Sequence, residues 1–304
     1  QLAEEGLVSV SGQRKGARYR LSKKYELIRP VDVEEYFSRE VDERPIRSRF
    51  ALDLFRDVMR DVSLFTPAEQ QHLMALQDQF TANSKALPLS AYKSEMERLA
   101  IDLSWKSSQI EGNTYSLLET ERLLKERETA AGKTRDEATM LLNHKSAIDF
   151  LLAHPGFGLP LNIASIEDMH SMLVKDLDVS RNIRNHRVGI SGTNYIPPDN
   201  EFQIREAMEA MCSLVNRSQN AFEQALLALL LISYIKPFAD GNKRTARIIC
   251  NAVLLHHHHC PISFRTVDPV EYKKALLIFY ETKNISAFKR MFIEQFEFAA
   301  KTYF

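Results

Sequence analysis

The residues best suited to chemistry stand in one run, Lys236-Pro237-Phe238-Ala239-Asp240-Gly241-Asn242-Lys243-Arg244-Thr245-Ala246-Arg247. An apolar helical stretch ends at Ile235, Pro237 cannot continue it, Gly241-Asn242 permits a tight turn, and a new helix is predicted from about Lys243. Free backbone N–H groups at such a helix start, with the helix dipole behind them, attract an anion. Arg244 and Arg247, three apart, share one face of the first turn and can grip phosphate oxygens by paired N–H bonds. Asp240 sits just outside, where a carboxylate among phosphates suits Mg²⁺. The spacing predicts a polyphosphate site.

The run resembles the signature loop of the Fic (Fido) proteins, H-P-F-x-[D/E]-G-N-G-R-x-x-R. Pro237, Phe238, Asp240, Gly241, Asn242, Arg244 and Arg247 match it, with Ile235 as the apolar lead-in. Lys236 stands where the family has its catalytic His, and Lys243 where it has Gly. Two further segments are similar to family motifs. Arg184-x-x-x-Val188-x-Ile190-x-Gly192, followed by Tyr195-x-Pro197-Pro198, resembles the flap, a hairpin that registers a target segment over the active site. Ser107-x-x-x-Glu111-Gly112 resembles the inhibitory-helix motif [S/T]-x-x-x-E-[G/N].

The resemblance implies ATP with Mg²⁺ as ligands and transfer of AMP to a Ser, Thr or Tyr hydroxyl of a target protein. On that basis Asp240 holds the metal, Gly241 and Asn242 seat the α-phosphate, Arg244 binds the β-phosphate and Arg247 the γ-phosphate, with Lys243 beside them. Val188, Ile190, Gly192 and Tyr195 meet the target segment. Glu111 pairs with Arg247 and displaces the γ-phosphate, and Ser107, one turn earlier, faces the same cleft.

Lys236 puts the catalytic step in question. An ordinary Lys is neutral in only about 0.04% of molecules at pH 7, whereas His is mostly neutral. Burial and neighbouring cations lower a Lys, while a bound triphosphate pushes the other way. Nucleotide binding is therefore expected to outlast catalysis. Lys243 also occurs as N-K-R in the phosphate-transferring Doc relatives, which nevertheless keep the His. A catalytically silent regulator and, with less support, a Doc-like phosphotransferase are the alternatives to an impaired adenylyltransferase. His186 is a candidate compensating base, and His170 reads as a satisfied core residue.

The elements that position these groups are almost wholly helical from about residue 45. Helices are expected over Phe50–Val62, from Thr66-Pro67-Ala68-Glu69 onward, and near 91–111, 135–153, 165–176, 201–216, 221–235, 243–257, 269–280 and 286–302. Trp105 and Tyr115 are expected to pack the inhibitory helix. The fold class is all-α, a Fic-type helical bundle with a small β-hairpin flap and a short N-terminal β-hairpin. Residues 1–35 form a winged-helix remnant or basic hairpin, 45–94 accessory helices, and 95–304 a Fic-like domain. That domain holds the inhibitory helix (about 91–112), the flap (184–198) and the signature loop (236–247).

The formal net charge is zero, with 40 Lys+Arg against 40 Asp+Glu, which excludes only a field spanning the whole protein. Residues 11–30 carry Arg14, Lys15, Arg18, Arg20, Lys23, Lys24 and Arg29 against Glu26 alone. Arg14, Lys15 and Arg18, around a predicted turn, are DNA-contact candidates for a wing-like hairpin. The longest apolar run, Ala225–Ile235, is far shorter than the roughly 20 residues of a membrane span. Cys212, Cys250 and Cys260 lack C-x-x-C spacing and give no disulfide framework, so a cytoplasmic location is expected. His256–His259 read as a helix end favoured by the dipole rather than a metal site. The chain opens on Gln1, which predicts a processed or partial form. The expected partners are ATP, a target segment at the flap and DNA at the hairpin, with a homodimer left open and no membrane.

Overall fold

The structure, a computed structural model, describes residues 8–11 and 17–304. Strands β1 (Val8–Ser11) and β2 (Arg18–Leu21) pair antiparallel, Val8 opposite Leu21 and Ser11 opposite Arg18. Arg14 and Lys15 lie outside the described residues. Two short helices absent from the sequence expectation follow, α1 (Lys23–Ile28) and α2 (Val33–Phe37), each started by a side-chain cap from Ser22 or Asp32.

The expected helix over residues 50–62 is replaced by a π turn at Leu54–Val58 and a 3-10 turn at Met59–Asp61. Its apolar spacing is real, since Leu54, Phe55, Val58 and Met59 are buried. Ala51 N–H is donated to the Tyr234 hydroxyl, outside any helical ladder, and the segment follows the core surface rather than a regular helix. The long helices then run α3 (Pro67–Ala86), α4 (Leu89–Gln109), α5 (Leu117–Glu126), α6 (Arg135–Ala153), α7 (Ile163–Leu173), α8 (Glu201–Arg217), α9 (Ala221–Ile235), α10 (Asn242–His256), α11 (Pro269–Thr282) and α12 (Ser286–Thr302). Reciprocal capping boxes fix the starts of α3 (Thr66 with Glu69), α5 (Ser116 with Glu119) and α6 (Thr134 with Glu137).

The helix α9 is apolar on every side because it lies at the centre, with α8, α10, α11 and α12 against it. In turn α10 packs on α9, α7, α6 and α4, so the turn between α9 and α10 is held from several directions. One continuous core runs from Leu27 to Tyr303 and includes α3, which packs on α12. No helix among the described residues is long and apolar enough to cross a membrane. The three cysteines are free and buried. His257 bonds Gln224 and His259 bonds the His257 carbonyl, and no cluster of His, Cys, Asp or Glu suited to a metal occurs among the described residues.

The flap is not a ladder of two paired strands. Its second limb bridges Arg49 through Ile196 instead of pairing with the first limb, and Pro197 and Pro198 remove two donors from it. Gly192, at φ +87°, makes the turn.

Two imidazoles are part of the core, His144 on α6 and His170 on α7. Burial, reinforced by the nearby Arg247 and Arg244 charges, holds His144 well below the ordinary histidine value. Burial likewise lowers His170 to about 4. Both are neutral in the folded state at pH 7, whereas in the unfolded chain they take up protons near pH 6.5. Their stabilisation is complete above that value and is lost as pH falls toward 4. For His170 alone the unfolding free energy should drop by about 2 kcal/mol between pH 7.5 and pH 5. Urea titrations of wild type and His170→Asn at both pH values should show a shallower dependence in the variant, and an unchanged slope would refute the assignment.

Candidate functional site

The turn from α9 to α10 begins with Lys236 in the left-handed region (φ 50°, ψ 63°), its N–H closing the helix on the Ile232 carbonyl. Gly241, at φ +78°, starts α10, and a Cβ there would stand 3.3 Å from His170 and Val174. Only glycine meets both demands without strain. The loop is tied to itself by Asn242, whose side chain accepts from Phe238 N–H and donates to Phe238 O, both at 2.8 Å. Expected as a phosphate ligand, Asn242 thus has its amide occupied, and only its main chain remains to serve an anion.

His170 supports the loop from below. Its ring stacks on Phe238 at 3.6 Å and 3°, and its Nε2 donates to the Asp240 carbonyl at 3.0 Å. Arg184 clamps the other side, donating from Nε to Lys236 O (2.7 Å) and from Nη2 to Ile235 O (3.4 Å), while its own N–H is given to Pro237 O. His186 is exposed, and its carbonyl accepts from Arg184 Nη1.

The cations converge as the spacing predicts. Arg244 is 1% exposed; its Nη2 donates to Asp240 Oδ2 at 3.0 Å, and its Nε and Nη1 are buried without a hydrogen-bond partner. Arg247 is fully buried over the Tyr272 ring. It donates from Nε to Ser107 Oγ (2.8 Å) and from Nη2 to Ser107 O (2.8 Å) and Glu111 Oε1 (2.9 Å), leaving Nη1 unpartnered. A buried guanidinium with idle donors is ready to receive an anion.

Glu111 is held from two sides. Besides Arg247, Lys243 Nζ donates to its Oε2 at 3.1 Å. Burial alone would raise this carboxyl, but the two cations outweigh that and hold it below its ordinary value. Lys243, expected to face the nucleotide, is therefore engaged by the Glu111 carboxylate. Gly112, at φ +97°, ends the segment after α4, and Trp105 Nε1 donates to the buried Tyr115 carbonyl, as expected for residues that pack this helix end. Ser107 also meets His144 Nε2 at 2.7 Å. Sequence reading passed over His144, although it breaks the apolar stripe Leu141, Ile148, Leu151 of α6, a detectable signal.

Lys236 is half-buried, and its ammonium makes no hydrogen bond or ion pair among the described residues. Burial first, then the charges of Lys243 and Arg184, lower its pKa, while Asp240 and Glu111 act in the opposite sense. Asp240 is at the rim, its side chain 67% exposed. One carboxylate with an unbonded oxygen is what Mg²⁺ takes when phosphates complete its shell, so the residues fit that ion only together with a nucleotide.

In the flap, Val188 and Ile190 are partly buried and Gly192 is exposed. Tyr195 departs from its expected place at the target surface. It is 2% exposed, stacks on Tyr234 at 4.9 Å and donates its hydroxyl to Tyr234 O at 3.2 Å. Its ring anchors the flap to α9 and cannot meet a target.

Residues 160–254 match the Fic/DOC family. The chain is 23% identical over 236 residues to the protein adenylyltransferase Fic of Drosophila grimshawi, covering 76% of this chain and 48% of that protein. It is 24% identical over 264 residues to the protein of the same name from Nematostella vectensis, covering 81% and 58%. The chain thus spans about half the length of these curated relatives. Its fold is similar to that of a C. elegans Fic-1 fragment, with a TM-score of 0.67 at 21% identity over 78% of this chain and 72% of that one. A Fic domain containing signaling protein from Bacteroides thetaiotaomicron gives 0.64 at 17% identity, over 76% and 95%. The matched segment runs from α7 into α10 and includes the cation-bearing loop, and on this evidence the chain carries a Fic domain.

Proposed function

We propose that this chain is an ATP-binding relative of the Fic protein adenylyltransferases, with catalysis impaired by Lys236 and with its nucleotide seat closed by Glu111. The observation that carries the reading is the pair of buried guanidinium groups, Arg244 and Arg247, with idle donors at the start of α10. Glu111 is the anion that part of this cluster already holds, in the position proposed for the γ-phosphate. Arg244 and the backbone N–H groups of Gly241 and Asn242 serve the inner phosphates. Asp240 holds Mg²⁺, which neutralises phosphate charge.

In the transfer, a target hydroxyl loses its proton, its oxygen attacks the α-phosphorus, and pyrophosphate leaves. Lys236 stands where the proton acceptor is required. Lowered by burial, Lys243 and Arg184, it gains some basicity, and the phosphates themselves oppose this. Its ammonium form still attracts the nucleotide, so affinity is retained while the transfer rate falls.

Calorimetry with ATP and Mg²⁺ tests the seat. Wild type should bind weakly, Glu111→Gly at least tenfold more tightly, a change of about 1.4 kcal/mol, and Lys243→Gly between the two because only one of two grips is removed. Absence of binding in all three proteins would overturn the reading. ATP labelled separately at the α and γ positions then tests the chemistry. Glu111→Gly should transfer little label, and Glu111→Gly with Lys236→His should transfer α-label preferentially. Dominant γ-label would instead favour a Doc-like phosphotransferase.

A second reading, a silent regulator acting on DNA, draws on the exposed residues Arg18 and Tyr19 of β2 and on Arg14 and Lys15, which precede them in the sequence. Removing Arg14, Lys15 and Arg18 together should weaken duplex binding and flatten its dependence on salt by about one unit of slope per lost phosphate contact. Binding that ignores salt, or none at all, would remove this reading.

A further inference from the structure

The flap residues 184–198 are secured at both ends by the site itself. Arg184 is bound to the carbonyls of Ile235, Lys236 and Pro237, and Tyr195 to that of Tyr234. Between these anchors the turn and second limb are fastened by a different part of the chain. Arg44 Nη2 donates to Gly192 O at 2.7 Å, Asn194 Nδ2 to Asp42 Oδ1 at 3.0 Å, and Ile196 N–H to Ser48 O at 2.7 Å, where Arg49 and Ile196 form a parallel bridge. The first limb is different: no backbone hydrogen bond from residues 187–191 is found among the described residues.

The arm that supplies these contacts is itself fixed in the core. The side chain of Arg44 is 3% exposed and lies 3.3 Å from Glu281, which is fully buried at the end of α11. Glu281 also accepts from the Tyr36 hydroxyl, its carbonyl accepts from Arg47 N–H, and the Arg44 guanidinium lies 5.0 Å from the Phe37 ring centre. A buried cation that is ion-paired with a carboxylate and donates one hydrogen bond to a flap carbonyl is a rigid strut, because shifting it would leave a charge unpaired.

We propose that the segment 42–49, which begins within a 3-10 turn and bridges the flap at Arg49, is the flap's built-in partner and that Arg44 is the positioning residue that sets the flap tip relative to the signature loop. The second limb's edge is thereby taken from within, and the free main-chain groups of the first limb, residues 187–191, are left for an incoming extended segment. The proposal rests on reading 184–198 as the element that receives a target, but the strut stands or falls without the nucleotide site.

Hydrogen–deuterium exchange on the whole chain reads it directly, with the Ile196 amide as reporter. Arg44→Ala should speed exchange over residues 190–196 by tenfold or more while α9 and α10 keep their protection. Its ATP affinity on the Glu111→Gly background should stay within twofold. Equal acceleration in α9 and α10 would reduce Arg44 to a folding residue and overturn the proposal, as would unchanged exchange at 190–196. Should Arg44→Ala fail to fold, Asn194→Ala removes only the exposed contact to Asp42. It should speed exchange near 193–196 about threefold, and no change there would overturn the proposal as well. Loss of ATP binding in the Glu111→Gly parent would undo the nucleotide reading and leave the strut intact.

Discussion

Burying two guanidinium groups next to each other at the start of one helix is the constraint on which the site depends. Arg244 and Arg247 lie within one turn of α10, where the backbone dipole adds positive potential to their own. Water cannot reach them, so the protein must supply negative charge or leave the site to an external anion. It supplies Asp240 to Arg244 and Glu111 to Arg247, and neither carboxylate consumes all the donors. The left-handed glycine start, the Asn242 clasp, the His170 stack and the Arg184 clamp all keep this charged turn from opening toward solvent. Each binds main chain or ring faces and leaves the idle guanidinium nitrogens free.

The two lysines belong to the same electrostatic problem. Lys236, Lys243, Arg244 and Arg247 surround the turn against the two carboxylates Glu111 and Asp240, so positive charge remains in excess. Lys243 reduces that excess locally by taking the second oxygen of Glu111. The Glu111 carboxylate is therefore gripped by two cations that approach from successive turns of α10, a stronger hold than either alone. Lys243 thus ties the start of α10 to the segment after α4.

How far the sequence revealed this arrangement depended on sequence distance. The signature loop was legible because its turn and helix chemistry are local to contiguous residues, and the capping box at Thr66 was legible for the same reason. The region 50–62 misled because a helical spacing of apolar residues also suits a chain that winds irregularly over the core surface. Tyr195 misled because a pattern within the flap does not reveal which ring Tyr234 presents beneath it. Asn242 was assigned to the anion, yet its amide is completed by Phe238 four residues away. The Arg44 strut left no local trace at all: Asp42, Arg44, Ser48, Gly192 and Glu281 become neighbours only when the ends of α2 and α11 meet.

On the proposed reading, the nucleotide and the base at position 236 are opposed. The lowered pKa of Lys236 results from burial and from Lys243 and Arg184, with Glu111 and Asp240 as the nearby charges that raise it. Admitting ATP replaces the single charge of Glu111 by a triphosphate, partly neutralised by Mg²⁺, and draws Lys243 toward the phosphates. Each change favours the ammonium form of Lys236. The state that brings the α-phosphate within reach is then the state in which the base is least available. A histidine suffers less from this opposition, because its ordinary value near 6.5 leaves much of it neutral even after an upward shift of half a unit. For a lysine, whose ordinary value is near 10.4, the same shift works against a neutral fraction that is far smaller from the outset. On the proposed reading, lysine at 236 therefore separates two properties that a histidine would combine, attraction for the nucleotide and the capacity to take a proton once it is bound.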